Sequence, residues 1–115
     1  MDACFRLRRR EDFARLRRHG RTYRRALLSL SVVQNEVGYN RYGFITSKQL
    51  GKAVTRNRVR RRLREAIRLR HADVRPGFDI LWIARSGLVD QPWVVVVQMV
   101  DELYRQAGLL KDESA

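Results

Sequence analysis

The spacing of apolar residues changes period several times along the chain, and each change marks a predicted element. From Arg10 to His19, Phe13, Leu16 and Arg17 fall at i, i+3 and i+4, which predicts a short helix with Gly20 as its stop. Residues 26–34 turn to Leu, Ser and Val and predict a strand. A turn around Gly38 leads to a second strand over residues 41–47, with Tyr42, Phe44 and Thr46 on one face and Gly43, Ile45 and Ser47 on the other. Residues 55–70 form the strongest helix: at about 100° per residue Val59, Leu63, Ala66 and Ile67 share one stripe, and Thr55 is placed as the N-cap. Pro76-Gly77 marks a turn, and residues 78–84 read as a buried strand. Val94 to Val97 favour strand by propensity, yet Trp93, Val96, Val97, Val100, Leu103, Tyr104 and Ala107 follow one helical stripe behind the start signals Asp90 and Pro92. The longer pattern predicts a helix over residues 91–109. Tyr42, Phe44, Trp82 and Trp93 read as core, while Phe13 is balanced between core and an exposed aromatic.

Composition narrows the picture to a single domain over residues 1–115, with residues 1–9 and 110–115 expected to be mobile. A domain of this size buries roughly two-thirds of its unfolded surface and needs no staple. The lone cysteine, Cys4, cannot form an intrachain disulfide. No run of about 18 apolar residues and no signal-peptide stretch occurs, so a soluble, cytoplasmic chain is expected. Charge then changes the picture. A net charge of +13 and a pI near 11.4 attract polyanions. All bases but Lys48, Lys52 and Lys111 are arginine, whose planar fork suits phosphate and stacks on bases. They cluster: residues 6–25 hold ten arginines against Glu11 and Asp12, and residues 56–70 hold eight against Glu65. Two dense blocks are how a binding footprint reads.

No catalytic constellation accompanies this charge. The sequence has no metal-ligand cluster of His and Cys, no Gly-rich phosphate loop and no acid pair at helical spacing on a cleft. His19 and His71 read as surface residues, and Cys4 as a bystander. No cofactor is expected on protein side chains.

The central stretch, Lys52-Ala53-Val54-Thr55-Arg56-Asn57-Arg58-Val59-Arg60-Arg61-Arg62-Leu63-Arg64-Glu65, opens an amphipathic helix with a cationic outer face. Taken alone it suits a solvated face, a DNA-groove helix or an RNA-binding helix. Its arginines cover most of the exposed surface, which suits backbone contact better than base reading. The stretch resembles the Arg-Asn-Arg signature of the bacterial ribonuclease P protein family. Glu11-Asp12-Phe13, His19-Gly20, Arg41-Tyr42-Gly43-Phe44, Ser47-Lys48, Gly51, Ala53-Val54 and Ile80-Leu81-Trp82-Ile83-Ala84-Arg85 fit the same family in order and spacing, from about residue 5 to residue 110.

The resemblance implies an α+β, two-layer domain of helix, three strands, helix, strand and helix. It is similar to a domain of ribosomal proteins and elongation factors, with a left-handed crossover around the long helix. The third strand is expected near residues 52–54. The resemblance also implies a ribonucleoprotein endoribonuclease in which a catalytic RNA, holding magnesium ions, cuts precursor tRNA, with no membrane and no further protein partner. Arg56, Asn57, Arg58, Arg60, Arg61, Arg62 and Arg64 would face the catalytic RNA, although Arg56 lies near the apolar stripe and could instead cap or bridge. Phe13, Lys48 and Arg85 would hold the single-stranded 5′ leader of the precursor in a cleft between the first helix and the sheet. The chain departs from the family at Gln49 and Ser86, where a second basic residue is common, and at Arg17 and Ser31, which are aromatic in some members. The alternative reading is a structural ribosomal protein or RNA chaperone with the same charge.

Overall fold

The computed structural model describes residues 6–111. Its helices and strands follow in the order α1 (Arg10–His19), β1 (Arg21–Arg24), β2 (Leu28–Gln34), β3 (Arg41–Thr46), α2 (Ala53–Arg70), β4 (Phe78–Ala84) and α3 (Trp93–Ala107). The strands form one sheet, ordered β1-β2-β4-β3. β1 with β2 and β2 with β4 are antiparallel; β3 and β4 are parallel neighbours joined through α2. The element order is the one the resemblance implied, including a βαβ crossover around the long helix.

Alternation along the strands gives the sheet two unlike faces. On one, Leu28, Leu30, Val32, Tyr42, Ile80, Trp82 and Ala84 pack against the α2 stripe Val59, Leu63, Ala66 and Ile67 and the α3 residues Val96, Val100, Leu103 and Tyr104. Trp82 is fully buried and meets the Tyr104 ring edge-on, with centroids 5.1 Å apart. Helical spacing therefore prevails over the β-propensity of Val94–Val97, because only a helix brings Val96, Val100, Leu103 and Tyr104 onto one buried line. The opposite face holds a smaller cluster of Leu7, Leu16 and Leu81, flanked by Phe13, Val33 and Ile83. There α1 covers only part of the sheet.

Two glycines are needed where α1 meets the sheet. A Cβ on Gly20 would lie 2.4 Å from the Leu16 carbonyl oxygen, which accepts the Gly20 N–H at 2.9 Å and closes α1. A Cβ on Gly43 would meet Leu81 at 3.0 Å and Leu7 at 3.2 Å, so its absence lets Leu7 settle on β3.

The structure corrects four expectations. The third strand is β1, at Arg21–Arg24, not residues 52–54, where Lys52 is the extended N-cap and Ala53 begins α2. β1 is an edge strand with one half-buried aromatic, so it has no apolar run to announce it. Thr55 lies inside the first turn of α2 rather than capping it. Trp93 is 40% exposed at the start of α3, not core. The ends expected to be mobile are in part docked. Arg6 bridges to Tyr42, the Leu7 N–H donates to the Tyr42 carbonyl at 2.9 Å, and Leu110 is buried and bridged to Val74. Cys4 lies outside the described residues.

Candidate nucleic-acid interface

The half-covered face of the sheet is set by how α1 is fixed to it. Asp79, at the start of β4, has no exposed surface. It accepts hydrogen bonds from Arg41 Nε at 2.8 Å and Nη2 at 2.9 Å, from Asn35 Nδ2 at 3.0 Å, and from Arg15 of α1. Asp12 of α1, also buried, accepts from Arg41 Nη2 at 3.2 Å and lies 3.6 Å from Arg15. The bonds from Arg41 to Asp79 raise the Arg41 guanidinium further above its ordinary value. Two carboxylates, one from each layer, thus share two arginines, one from each layer. A charge buried this deeply is tolerable only when paired and hydrogen-bonded. The clamp holds α1 over the Arg41 and Asp79 end of the strands and leaves the other end bare.

Above α1 runs a cleft of about 510 Å³. Its floor follows the strand register. One row reads Gly43, Leu81, Ser31, Thr22 across β3, β4, β2 and β1; the next reads Ile45, Ile83, Ser29, Arg24. The wall is Phe13, Leu16, Arg17 and Gly20 of α1. The cleft therefore crosses every strand, from the β3 edge, where Ile45 is 41% exposed, to the β1 edge. The Thr22 and Ser31 hydroxyls are 2.9 Å apart on the floor. Arg85 leans over Ser29, with Nη2 3.3 Å and Nε 3.4 Å from Oγ. Lys48 is exposed just beyond the end of β3, the end at which β4 runs into Arg85. Aromatic wall, hydroxyl floor and cationic rims are the parts that hold a single strand with little sequence preference.

The second basic block is on α2. Asn57, Arg60, Arg61 and Arg64 recur at the spacing of one helical stripe and, with the exposed Val54, line a shallow hollow of about 420 Å³. Arg60 Nη2 donates to Thr46 Oγ1 at 2.7 Å, and its Nη1 to Asn57 Oδ1 at 3.0 Å. The Arg64 guanidinium carbon is 5.7 Å from the centroid of the Phe44 ring, within cation–π range. Burial, together with Arg6 and Arg60 nearby, holds the Arg64 guanidinium below its ordinary value. An anion placed at this hollow would relieve that crowding. Thr46 and Phe44 belong to β3, so the hollow stands at the same edge where the cleft opens.

The sequence-predicted residues divide accordingly. Phe13 lines the cleft; Arg85, bonded to Ser29, and the exposed Lys48 are not among its lining residues and stand where β4 and β3 end. Asn57, Arg60, Arg61 and Arg64 share one hollow. Arg58 is exposed outside it. Arg62 points the other way and donates to the carbonyls of Gln91 at 2.6 Å and Val89 at 3.5 Å. Arg56 is half-buried, with its Nε enclosed and unbonded. Sequence reasoning missed Thr22 on the floor because it missed β1, whose alternation was the available signal. It also missed the clamp, whose members lie up to 64 positions apart.

Among the described residues no group of three His, Cys, Asp or Glu is placed to hold a metal, and Asp12 and Asp79 are taken by arginines. These side chains do not fit a magnesium site. No helix among the described residues is long and apolar enough to cross a membrane.

A family model described as Ribonuclease P matches residues 1–108. The chain is 43% identical over 112 residues to the ribonuclease P protein component of Roseiflexus sp. (strain RS-1), covering 96% of this chain and 92% of that one. Its fold superposes on the RNase P protein of Staphylococcus aureus with a TM-score of 0.85 at 25% identity, covering 93% of this chain and 98% of that one. The RNase P protein of Thermotoga maritima gives 0.78 at 28% identity, covering 87% and 96%.

Proposed function

The chain belongs to the ribonuclease P protein family, and from that premise we propose that it is the protein subunit of a cytoplasmic ribonucleoprotein that removes the 5′ leader of precursor tRNA. The α2 hollow takes the backbone of the catalytic RNA, and the cleft above α1 takes the leader. Cleavage belongs to the RNA subunit and the magnesium ions it holds. The protein supplies positive charge and a grip away from the scissile bond.

The cleft carries this reading. It is narrow enough to be walled by one helix, it crosses the whole sheet, and one mouth opens beside the α2 arginines. A strand running from the α2 arginines into the cleft meets Arg17 on its wall. Phe13 offers a ring face to a base, Arg17 and Arg85 offer guanidinium groups to phosphates, and the Ser31 and Thr22 hydroxyls can bond a ribose or a base edge. Net charge of +13 reduces the repulsion between two RNA molecules, a task otherwise left to divalent ions. Grip on the leader raises kcat/KM without any protein group at the reacting phosphate.

The test is cleavage of a precursor tRNA by the cognate catalytic RNA at low magnesium, with and without this protein. Restored cleavage is the expected result. Tight binding to that RNA with no change in rate would favour a structural or chaperone role instead.

A further inference from the structure

A second groove of about 500 Å³ lies on the far side of β1 from the cleft. Strand alternation divides β1 between them: Thr22 faces the cleft, while Arg21 and Tyr23 face the second groove. The helix preceding β1 is divided in the same way, with Arg17 in the cleft and His19 in the groove. Arg75 and the apolar Phe78 complete the parts that matter. No carboxylate is among the described residues lining the groove, and Arg21, His19 and Arg75 form no ion pair among the described residues. Two unpaired arginines and an imidazole beside an aromatic and an apolar floor share the basic and aromatic character of the cleft without its Ser and Thr hydroxyls.

The two sites are continuous in one direction only. The cleft runs from the β3 edge, beside the α2 arginines, to the β1 edge at Gly20 and Thr22. A strand leaving there meets Arg21, His19 and Tyr23 next. We infer that this groove binds the distal 5′ part of the precursor leader, as single-stranded RNA that has passed through the cleft and rounded the β1 edge. The inference rests on the assignment of the leader to the cleft. It adds a second, length-dependent site: short leaders fill the cleft only, and long leaders fill both.

The experiment uses the reconstituted holoenzyme and precursors with leaders of roughly 4 and roughly 16 nucleotides, the range of single-strand site sizes on small domains. Arg21→Gln combined with Tyr23→Leu, which keeps apolar packing but removes the ring face, should weaken binding of the long-leader precursor by about fivefold or more, the low end for one lost base stack. Its salt slope should fall by roughly 0.7 for each lost phosphate contact. The short-leader precursor should bind as before, which also shows the variant is folded. Arg75→Gln, from a different part of the chain, should reproduce the length-dependent loss. Phe13→Ala separates the two assignments, since it should weaken both precursors. If it weakens both while the groove variants change neither, the groove assignment falls alone. If it changes neither, the cleft assignment falls and the groove with it. Equal losses for both leaders in the groove variants would also overturn the inference.

Discussion

At the scale of single residues, the site depends on side chains that never reach its surface. Asp79 touches no solvent, yet it joins Arg41 and Asn35 of the sheet layer to Arg15 of α1. It is a positioning residue for the cleft wall that carries Phe13. Asp79→Asn leaves two arginines facing a neutral amide, and breaking a buried pair in this way costs roughly 3–5 kcal/mol. We expect that loss in urea unfolding, together with weaker leader binding and unchanged affinity for the catalytic RNA. Equal weakening of both would show that the clamp serves the whole fold rather than the cleft. Tyr42 makes a second residue-scale prediction. Burial pushes its phenol up to about 12, and its hydroxyl is 2.8 Å from His71 Nδ1. A folded value above the unfolded one means the native state holds the proton more tightly. This contribution is complete below about pH 10 and is lost as pH rises towards 12. Between about pH 8 and about pH 11 the Tyr42 share of the loss is roughly 1.4 kcal/mol. Tyr42→Phe should remove that share from the alkaline slope of urea stability; an unaltered slope would assign it elsewhere, Tyr104 being the other buried phenol raised by burial.

At the scale of elements, legibility followed local periodicity. The stripes of α2 and α3 were readable because each repeats over several turns, and β4 because both its faces are largely buried. β1 was hidden because an edge strand of Arg-Thr-Tyr-Arg lacks an apolar run, and its pairing with β2 supplies the order that propensity does not. The Thr22 edge of the cleft floor was hidden with it. The α2 arginines show a different limit. Sequence places most of them off the apolar stripe, with Arg56 near it, but it cannot say which are already occupied. Arg62 is spent on the carbonyls of Gln91 and Val89, beside the turn that leads into α3. Arg61 is exposed at the hollow. Arg62→Gln should therefore cost roughly 1.5–3 kcal/mol of stability, as for a lost bond to a charged donor, and leave the salt slope of RNA binding intact. Arg61→Gln should do the reverse, lowering the slope by roughly 0.9 with little change in stability. Fluorescence titrations at several salt concentrations, paired with urea midpoints, separate the two. Identical behaviour of the variants would remove the distinction between a structural and a binding arginine on this helix.

At the scale of the whole molecule, the sheet both joins and separates the two surfaces proposed for RNA. α2 packs on one face and α1 on the other, so the hollow and the cleft share an edge but no side chains. Their chemistry differs as well: the hollow is a stripe of fixed cations suited to a helical backbone, and the cleft is an aromatic and hydroxyl channel suited to an unpaired strand. One small domain can thus bind an RNA and a flexible extension of a second RNA, with the sheet as a rigid spacer. If the spacer is rigid, the two surfaces act independently. Sites more than about 7–10 Å apart with no shared partner usually add within roughly 0.5 kcal/mol. Combining Phe13→Ala with Arg61→Gln should then give the sum of the single effects on precursor binding by the holoenzyme. Assembly with the catalytic RNA should respond to Arg61→Gln alone. A coupling well above that margin would mean that occupation of the α2 hollow reshapes the cleft through the β3 edge, where Arg60 and Arg64 rest on Thr46 and Phe44.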